Sequence, residues 1–362
     1  MSHGTRRLHA AGFGLLELMI AMALGLIVTA GVLVIFLAQR QVYSTSSSQS
    51  LMQDSDNAIT AIITPVARGI GFMGCGAINS GVYSGLPSLP TTLTFDIASA
   101  VRGYTGTLPS KVVDDSANVT TSSDWSPSLD SSIVTLGGAE QGSDILVLIG
   151  AKPYATPIGV TTAITSASTS LTINDATQLS KINSGGAQVV AVSDCAKSAV
   201  LEATSASTTT VTVASAPPVA FSAGAQLIPL QQTMFFVAKG YGGQSGLFEA
   251  VMTIPSGGTV SSASWVATEM VPGVLAMKVL YGIGSNEAAT DYVDASEVSD
   301  WADVTTVRLA FLVEGGLGSS KVLSSSTETY SLFNSLYTVT VPSDTRMRHV
   351  YYMTINTRNA TL

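Results

Sequence analysis

Side chains able to do chemistry are sparse among these 362 residues, and the most telling is one carboxylate, Glu17, inside an otherwise uncharged apolar run from Phe13 to Ala38. A lone acid near one end of a membrane-length helix costs about 2.5–3.5 kcal/mol on insertion scales, so the charge needs a partner. The run opens at the Gly12-Phe13 junction, four residues before the acid. Two cysteines, Cys75 and Cys195, lie far apart and belong to no CxxC or Cys/His cluster. In an exported body an oxidised pair is the simplest reading, closing a loop of about 120 residues worth about 4–5 kcal/mol on chain-entropy grounds; two buried free thiols are the alternative.

Catalytic sets find little material. Of three histidines, His3 and His9 precede the junction, which leaves His349 between Arg348 and Val350 in a strand-like run. No nucleophile motif accompanies it, so a structural or surface histidine is expected and no catalytic residue is assigned. The acids Asp291, Asp294, Glu297, Asp300 and Asp303 recur every three residues. Such a run could gather oxygens around calcium, but its order does not match an EF-hand loop; a solvated acidic loop is the expectation, with no metal and no cofactor. Gly69-Ile70-Gly71-Phe72-Met73-Gly74 fits G-x-G-x-x-G. A dinucleotide fingerprint needs a strand before it and a helix after it, whereas here an amphipathic helix precedes and a Cys-Gly turn follows, so a helix-to-sheet turn beside Cys75 is expected.

The elements that must carry these residues follow from periodicity. As a helix, Phe13 to Ala38 is about 39 Å long at about 1.5 Å per residue, enough to cross a hydrocarbon core of about 30 Å. Arg6 and Arg7 precede it and put the N-terminus in the cytoplasm by the positive-inside rule. A cleaved secretory signal has an apolar core of about 7–15 residues, and this one is nearly twice that with an acid in its first turn. Beyond Arg40 the helix continues as an amphipathic one, with Leu51, Met52, Ala58, Ile59, Ile62, Ile63 and Val66 at three- and four-residue spacings. Ser46, Ser47 and Ser48 mark a flexible point and Pro65 an end or bend. From Asn79 to Gly142 the Ser, Thr, Gly and Pro content predicts long loops with few strands. From Asp144 onward short apolar runs predict strands, among them 145–149, 171–173, 189–192, 209–213, 234–238, 274–280, 307–313 and 350–355. The fold class is α+β, one long N-terminal helix packed on a large antiparallel β-rich domain. The net charge is -8, and -10 once Arg6 and Arg7 are set aside, which disfavours nucleic acid or anionic lipid as a partner of the body.

Gly12-Phe13-Gly14-Leu15-Leu16-Glu17-Leu18 resembles the prepilin motif of type IV pilins and type II secretion pseudopilins. The resemblance implies that a prepilin peptidase cuts after Gly12, that Phe13 becomes the N-methylated mature terminus, and that Glu17 is the assembly carboxylate. Cleavage would leave a cationic amine on Phe13, and a neighbour's Glu17 would neutralise it inside an apolar bundle, where opposite charges attract strongly. Many major pilins carry a helix-breaking Pro midway along this segment, whereas here the stretch reads Thr29-Ala30-Gly31-Val32-Leu33-Val34. The runs from Val274 to Ile283, Val304 to Val313 and Arg348 to Asn359, with Gly74-Cys75 and Asp194-Cys195, resemble the body of PilW-type minor pilins. The implied organisation is a leader at 1–12, a transmembrane and filament-core helix at 13–38, its amphipathic continuation at 39–68, and a periplasmic β-rich domain at 69–362. A non-enzymatic minor pilin is expected, anchored once in the bacterial inner membrane and then placed in the pilus or at its tip, serving adhesion, twitching motility or DNA uptake. Implied partners are other minor pilins, the major pilin, the prepilin peptidase, the inner-membrane assembly platform and a PilY-type tip adhesin. The alternatives are a tip pseudopilin of a type II secretion system and, from another class, a membrane-anchored periplasmic enzyme or binding protein.

Overall fold

A computed structural model of the chain describes residues 14–74, 81–86, 100–107, 110–112, 121–136, 138–175, 188–284, 288–316, 327–342, 344 and 346–357. The first element is one helix, α1 (Leu15–Arg68, 54 residues), about 81 Å long at about 1.5 Å per residue. Leucine, methionine and alanine are its main strong helix formers. Glu17 in the first turn and Arg68 in the last complement the helix dipole. The two points expected to interrupt the helix do not. Ser48 is buried within it, and Pro65 lies in the last turn, where one lost donor ends little; the last helical residue is Arg68, three residues later, and Gly69 is the C-cap.

Every described residue before Ser44 is exposed, whereas Ser48, Met52, Ile59, Ile63 and Val66 are buried against the body. Those spacings of three, four and seven put the buried side chains on one stripe of the helix. The stripe contacts the strands Ile145–Ala151, Ser264–Pro272, Val304–Glu314 and Arg348–Asn356.

Behind α1 lies a large mixed, mainly antiparallel sheet whose path runs Trp125–Ser126, Val101–Gly106, Ile145–Ala151, Gln226–Lys239, Gln188–Ser193, Ser198–Ala206, Thr210–Val213 and Ser170–Thr172. The 14-residue Gln226–Lys239 strand is its spine, because Ser245–Thr253 also pairs with it and in turn carries Ser264–Pro272 at an edge. A four-stranded antiparallel sheet follows in the order Asp291–Val293, Val274–Ile283, Val304–Glu314, Arg348–Asn356. A three-stranded sheet of Thr327–Leu332, Tyr337–Pro342 and Ser110–Val112 covers the back of the four-stranded one.

Period-two alternation divides the apolar side chains of the two central strands of the four-stranded sheet between two cores. Met277, Val279, Tyr281, Leu309 and Phe311 point into the core shared with α1 and the large sheet, while Leu275, Ala310 and Leu312 pack on Leu332, Val339 and Val341 of the small one. The expected strand runs from 145 onward all appear as strands or their parts. Inside the stretch expected to be mostly loop, Val101–Gly106 is a core strand, buried because it pairs with Ile145–Ala151.

Burial raises the phenol pKa values of Tyr104, Tyr281, Tyr330 and Tyr337, with Tyr330 pushed up to about 12. Above about pH 10 the unfolded chain ionises these phenols while the folded protein holds them neutral, so stability present below that pH is lost as pH rises toward Tyr330's folded value. The denaturant midpoint should therefore hold from about pH 7 to 9 and fall from about pH 10 to 12. Absorbance from these four phenolates should appear together with unfolding, and their smooth titration in a folded protein would contradict the burial.

Candidate functional site

Two surfaces compete for the role of functional site, the bare half of α1 and the seat that fixes its other half. At the bare end, Glu17 projects from the first turn and its Oε2 accepts a hydrogen bond from the Gly14 backbone N–H at 3.2 Å. The carboxylate is folded back toward the start of the helix, one residue from Phe13. Gly12 and Phe13 themselves lie outside the described residues. Every large apolar side chain from Leu15 to Leu37 is exposed, as a helix designed for lipid or a helix bundle must be. Thr29 returns its hydroxyl to the Gly25 carbonyl at 2.7 Å, so the one Thr in this stretch is satisfied inside the helix. Arg40 lies 4.8 Å over the Phe36 ring and marks the polar border.

The seat is polar at its margins and backbone-tight at its far end. His349 Nε2 meets Asp56 Oδ2 at 2.9 Å, Nδ1 lies 3.3 Å from Met52 Sδ, and the Thr60 and Tyr351 hydroxyls share a hydrogen bond of 2.6 Å. The remaining histidine thus clamps the helix to the last described strand. Near the bare half, Ser48 Oγ donates to the Gly316 carbonyl at 3.3 Å. At the other end the glycine-rich turn does what its context implied. Gly71 adopts φ +67° and Gly74 φ +108°, Gly69 O accepts from Ala151 N–H at 2.9 Å, and Gly71 N–H donates to Ile149 O at 3.0 Å. A Cβ on Gly150 would strike the Gly69 carbonyl, so glycine is required where the chain leaves the helix for the sheet.

Cys75 lies outside the described residues. Cys195 sits at φ +68° in the turn between Gln188–Ser193 and Ser198–Ala206. Gly74 packs on Ser193, with a Cβ there only 2.7 Å from the Ser193 Cβ, so the chain next to one cysteine touches the strand end next to the other.

A group missed by sequence reasoning is a buried ion pair. Lys278 and Asp144 are 2% and 1% exposed, with Nζ 3.0 Å from Oδ1. Oδ1 also accepts from Gly106 N–H at 3.0 Å and Oδ2 from Val279 N–H at 2.8 Å, while Nζ stands 4.4 Å over the Tyr337 ring. Burial raises the Asp144 pKa and the nearby ammonium opposes it. The signal was present as single charges set against apolar runs, Asp144 before Ile145 to Ile149 and Lys278 inside Val274 to Ile283.

A cavity of about 590 Å³ opens between the sheets, lined by Lys239, Gln244, Glu314, Asp344, Arg346 and Arg348 among others. Its charges largely answer one another: Glu314 accepts from Arg346 Nη1 at 2.6 Å and Arg348 Nη2 at 3.3 Å, and Asp344 accepts from Arg348 Nη2 at 2.8 Å. Burial still pushes the Glu314 carboxyl up. Of the acids at 291–303, Asp294 accepts from Ser296 N–H and from the Tyr337 hydroxyl, and Asp300 accepts from Ala302 N–H. No group of three or more His, Cys, Asp or Glu able to hold a metal occurs among the described residues.

The arrangement is an exposed apolar rod with one acid near its end, seated on a β-rich body. Residues 7–33 match the family model of the prokaryotic N-terminal methylation motif, and residues 234–359 match that of the type IV pilus-assembly protein W. The second match starts in the spine strand and covers both smaller sheets' later strands and the helix seat on Arg348–Asn356. No curated protein matches the chain.

Proposed function

We propose that the chain, which matches the N-terminal methylation motif over residues 7–33 and the type IV pilus-assembly protein W model over residues 234–359, is a minor pilin of PilW type that helps start a type IV pilus and stays at or near its tip. The observation that carries this reading is the division of α1 into a half whose residues are all exposed and a half seated on the body. An exposed apolar half of this length is stable only in lipid or among other helices, and a filament core supplies the second after the first. In this reading the leader ends at Gly12, Phe13 is the methylated terminus, residues 13–38 leave the inner membrane for the filament core, and residues 39–68 hold the periplasmic body at 69–362. The N-terminus faces the cytoplasm. Other minor pilins, the major pilin, the peptidase, the assembly platform and a tip adhesin of PilY type are its partners, and adhesion, twitching or DNA uptake is what the tip serves.

A Cys75–Cys195 disulfide belongs to the same proposal, supported by the contact of Gly74 with Ser193. It would staple the turn after α1 to the large sheet, on the side exported from reducing conditions.

N-terminal mass spectrometry of the protein from membranes and from sheared filaments tests the proposal. A chain that begins at N-methylated Phe13, depends on the prepilin peptidase and is found in sheared pili is the expected result. An uncut Gly12-Phe13 bond would refute it, and a processed chain confined to a secretion complex would favour the pseudopilin alternative.

A further inference from the structure

At the end of α1 farthest from the bare half is a cleft of about 250 Å³ between the last helical turn and the loop after Ile145–Ala151, lined by Arg68, Phe72, Lys152 and Tyr154 among others. Its walls are fixed by backbone. Besides the Gly69–Ala151 hydrogen bond, Lys152 N–H donates to Pro229 O at 2.8 Å and Ala155 N–H to Lys152 O at 3.0 Å. Two features are unusual for a surface with nothing on it. Tyr154 is 88% exposed and holds φ +61°, a conformation that costs a non-glycine residue energy. Arg68 and Lys152 have no hydrogen-bonded or ion-paired acid among the described residues, in contrast to the arginines of the larger cavity. Lys152 is half-buried, and desolvation alone lowers its pKa, as expected of a cation with no carboxylate near it.

We infer that this cleft is a docking site for an acidic segment of another pilus subunit, which places one carboxylate between Arg68 and Lys152 and apolar surface against Phe72 and Tyr154. The inference rests on the proposed function, since it needs an assembled filament. Position favours a protein occupant over lipid: Arg68 is about 45 Å along α1 from Ala38, at about 1.5 Å per residue, on the face of the body turned away from the membrane. Size and charge favour it over nucleic acid. The volume is below the about 300–1,000 Å³ of small-molecule pockets and suits one or two side chains, and a body of net charge -10 repels a polyanion at long range. One half-buried and one exposed cation beside a half-buried Phe72 and an exposed Tyr154 have the composition of an interface anchor.

The test uses the full chain in its native envelope, with a photo-crosslinking residue in place of Thr156, an exposed neighbour that leaves Tyr154 intact. Illumination is expected to join it to a different pilus subunit at a peptide containing Asp or Glu. Arg68→Glu with Lys152→Glu should lower that product at least tenfold, and Lys at the mapped partner acid should restore it. Arg68→Glu alone, at an exposed side chain, is expected to weaken the product in the same direction and guards against misfolding of the double variant. Crosslinks only to a second copy, to lipid or to nucleic acid, or no crosslink from a chain that is processed and present in sheared pili, would overturn the docking site while leaving the proposed function standing. Absence of the unmodified chain from sheared pili would remove both.

Discussion

Lys278→Ala is expected to lower the unfolding free energy by about 3–5 kcal/mol, the cost of leaving a buried charge without its partner. Asp144 cannot turn to water, because it is 1% exposed and held by the Gly106 and Val279 N–H groups from two different sheets. Desolvation already raises its pKa in the presence of Lys278. Without the ammonium that shift grows. A carboxyl whose folded pKa lies above its unfolded value contributes stability that is lost as pH rises through the folded value, so Lys278→Ala should be more stable at about pH 5 than at about pH 7.5. Asp144→Ala should be at least as damaging at neutral pH and lack that recovery, since it orphans two backbone donors at about 1–3 kcal/mol each as well as the ammonium. Urea unfolding of the detergent-solubilised chain at both pH values measures these differences. A Lys278→Ala protein with the wild-type midpoint at neutral pH would show that the pair is solvated.

Glu17→Ala is expected to reduce the protein in sheared filaments at least tenfold while its amount in the membrane stays level or rises, because removing the acid relieves an insertion cost of about 2.5–3.5 kcal/mol. The hydrogen bond from Gly14 N–H to Glu17 Oε2 raises a rival account, that the side chain matters only as a helix cap. Glu17→Gln separates the two, since an amide oxygen can still accept from Gly14 N–H but carries no charge for a neighbour's Phe13 amine. The electrostatic account requires Gln to fail as Ala does. Normal incorporation of Glu17→Gln would leave capping as the role of this residue.

The parts of the fold legible in the sequence were those whose burial is written in apolar composition. Val274–Ile283 and Val304–Glu314 are covered on both faces along most of their length and so read as mainly apolar runs broken by few polar residues. Val101–Gly106 is as deeply buried, yet its Val-Arg-Gly-Tyr-Thr-Gly composition carries no such pattern; its place is set by the neighbour it pairs with. Ser264–Pro272 and Thr327–Leu332 lie at sheet edges with many of their side chains in solvent, so their burial leaves no long apolar run in the sequence. Ser48 reads as a weak helix former because propensity is local, whereas its role is to be small enough to sit against Gly315. The Glu17 end was legible because an acid in an apolar run is conspicuous. The Arg68–Lys152 cleft was not, since 84 residues separate its two cations and only the turn at Gly69 brings them together.

The clamps on α1 join residues that are very distant in the chain: His349 and Asp56 are 293 positions apart, Tyr351 and Thr60 are 291. On the proposed topology, a chain delivered across the membrane from its N-terminal side would present the buried stripe of the helix first and the strand that receives it last. Until Arg348–Asn356 has paired with Val304–Glu314, Met52 and Ile59 lack their seat, and contacts of such long range form slowly. In the proposed pilin, the body's grip on its own helix would thus be the last part of the subunit to be completed.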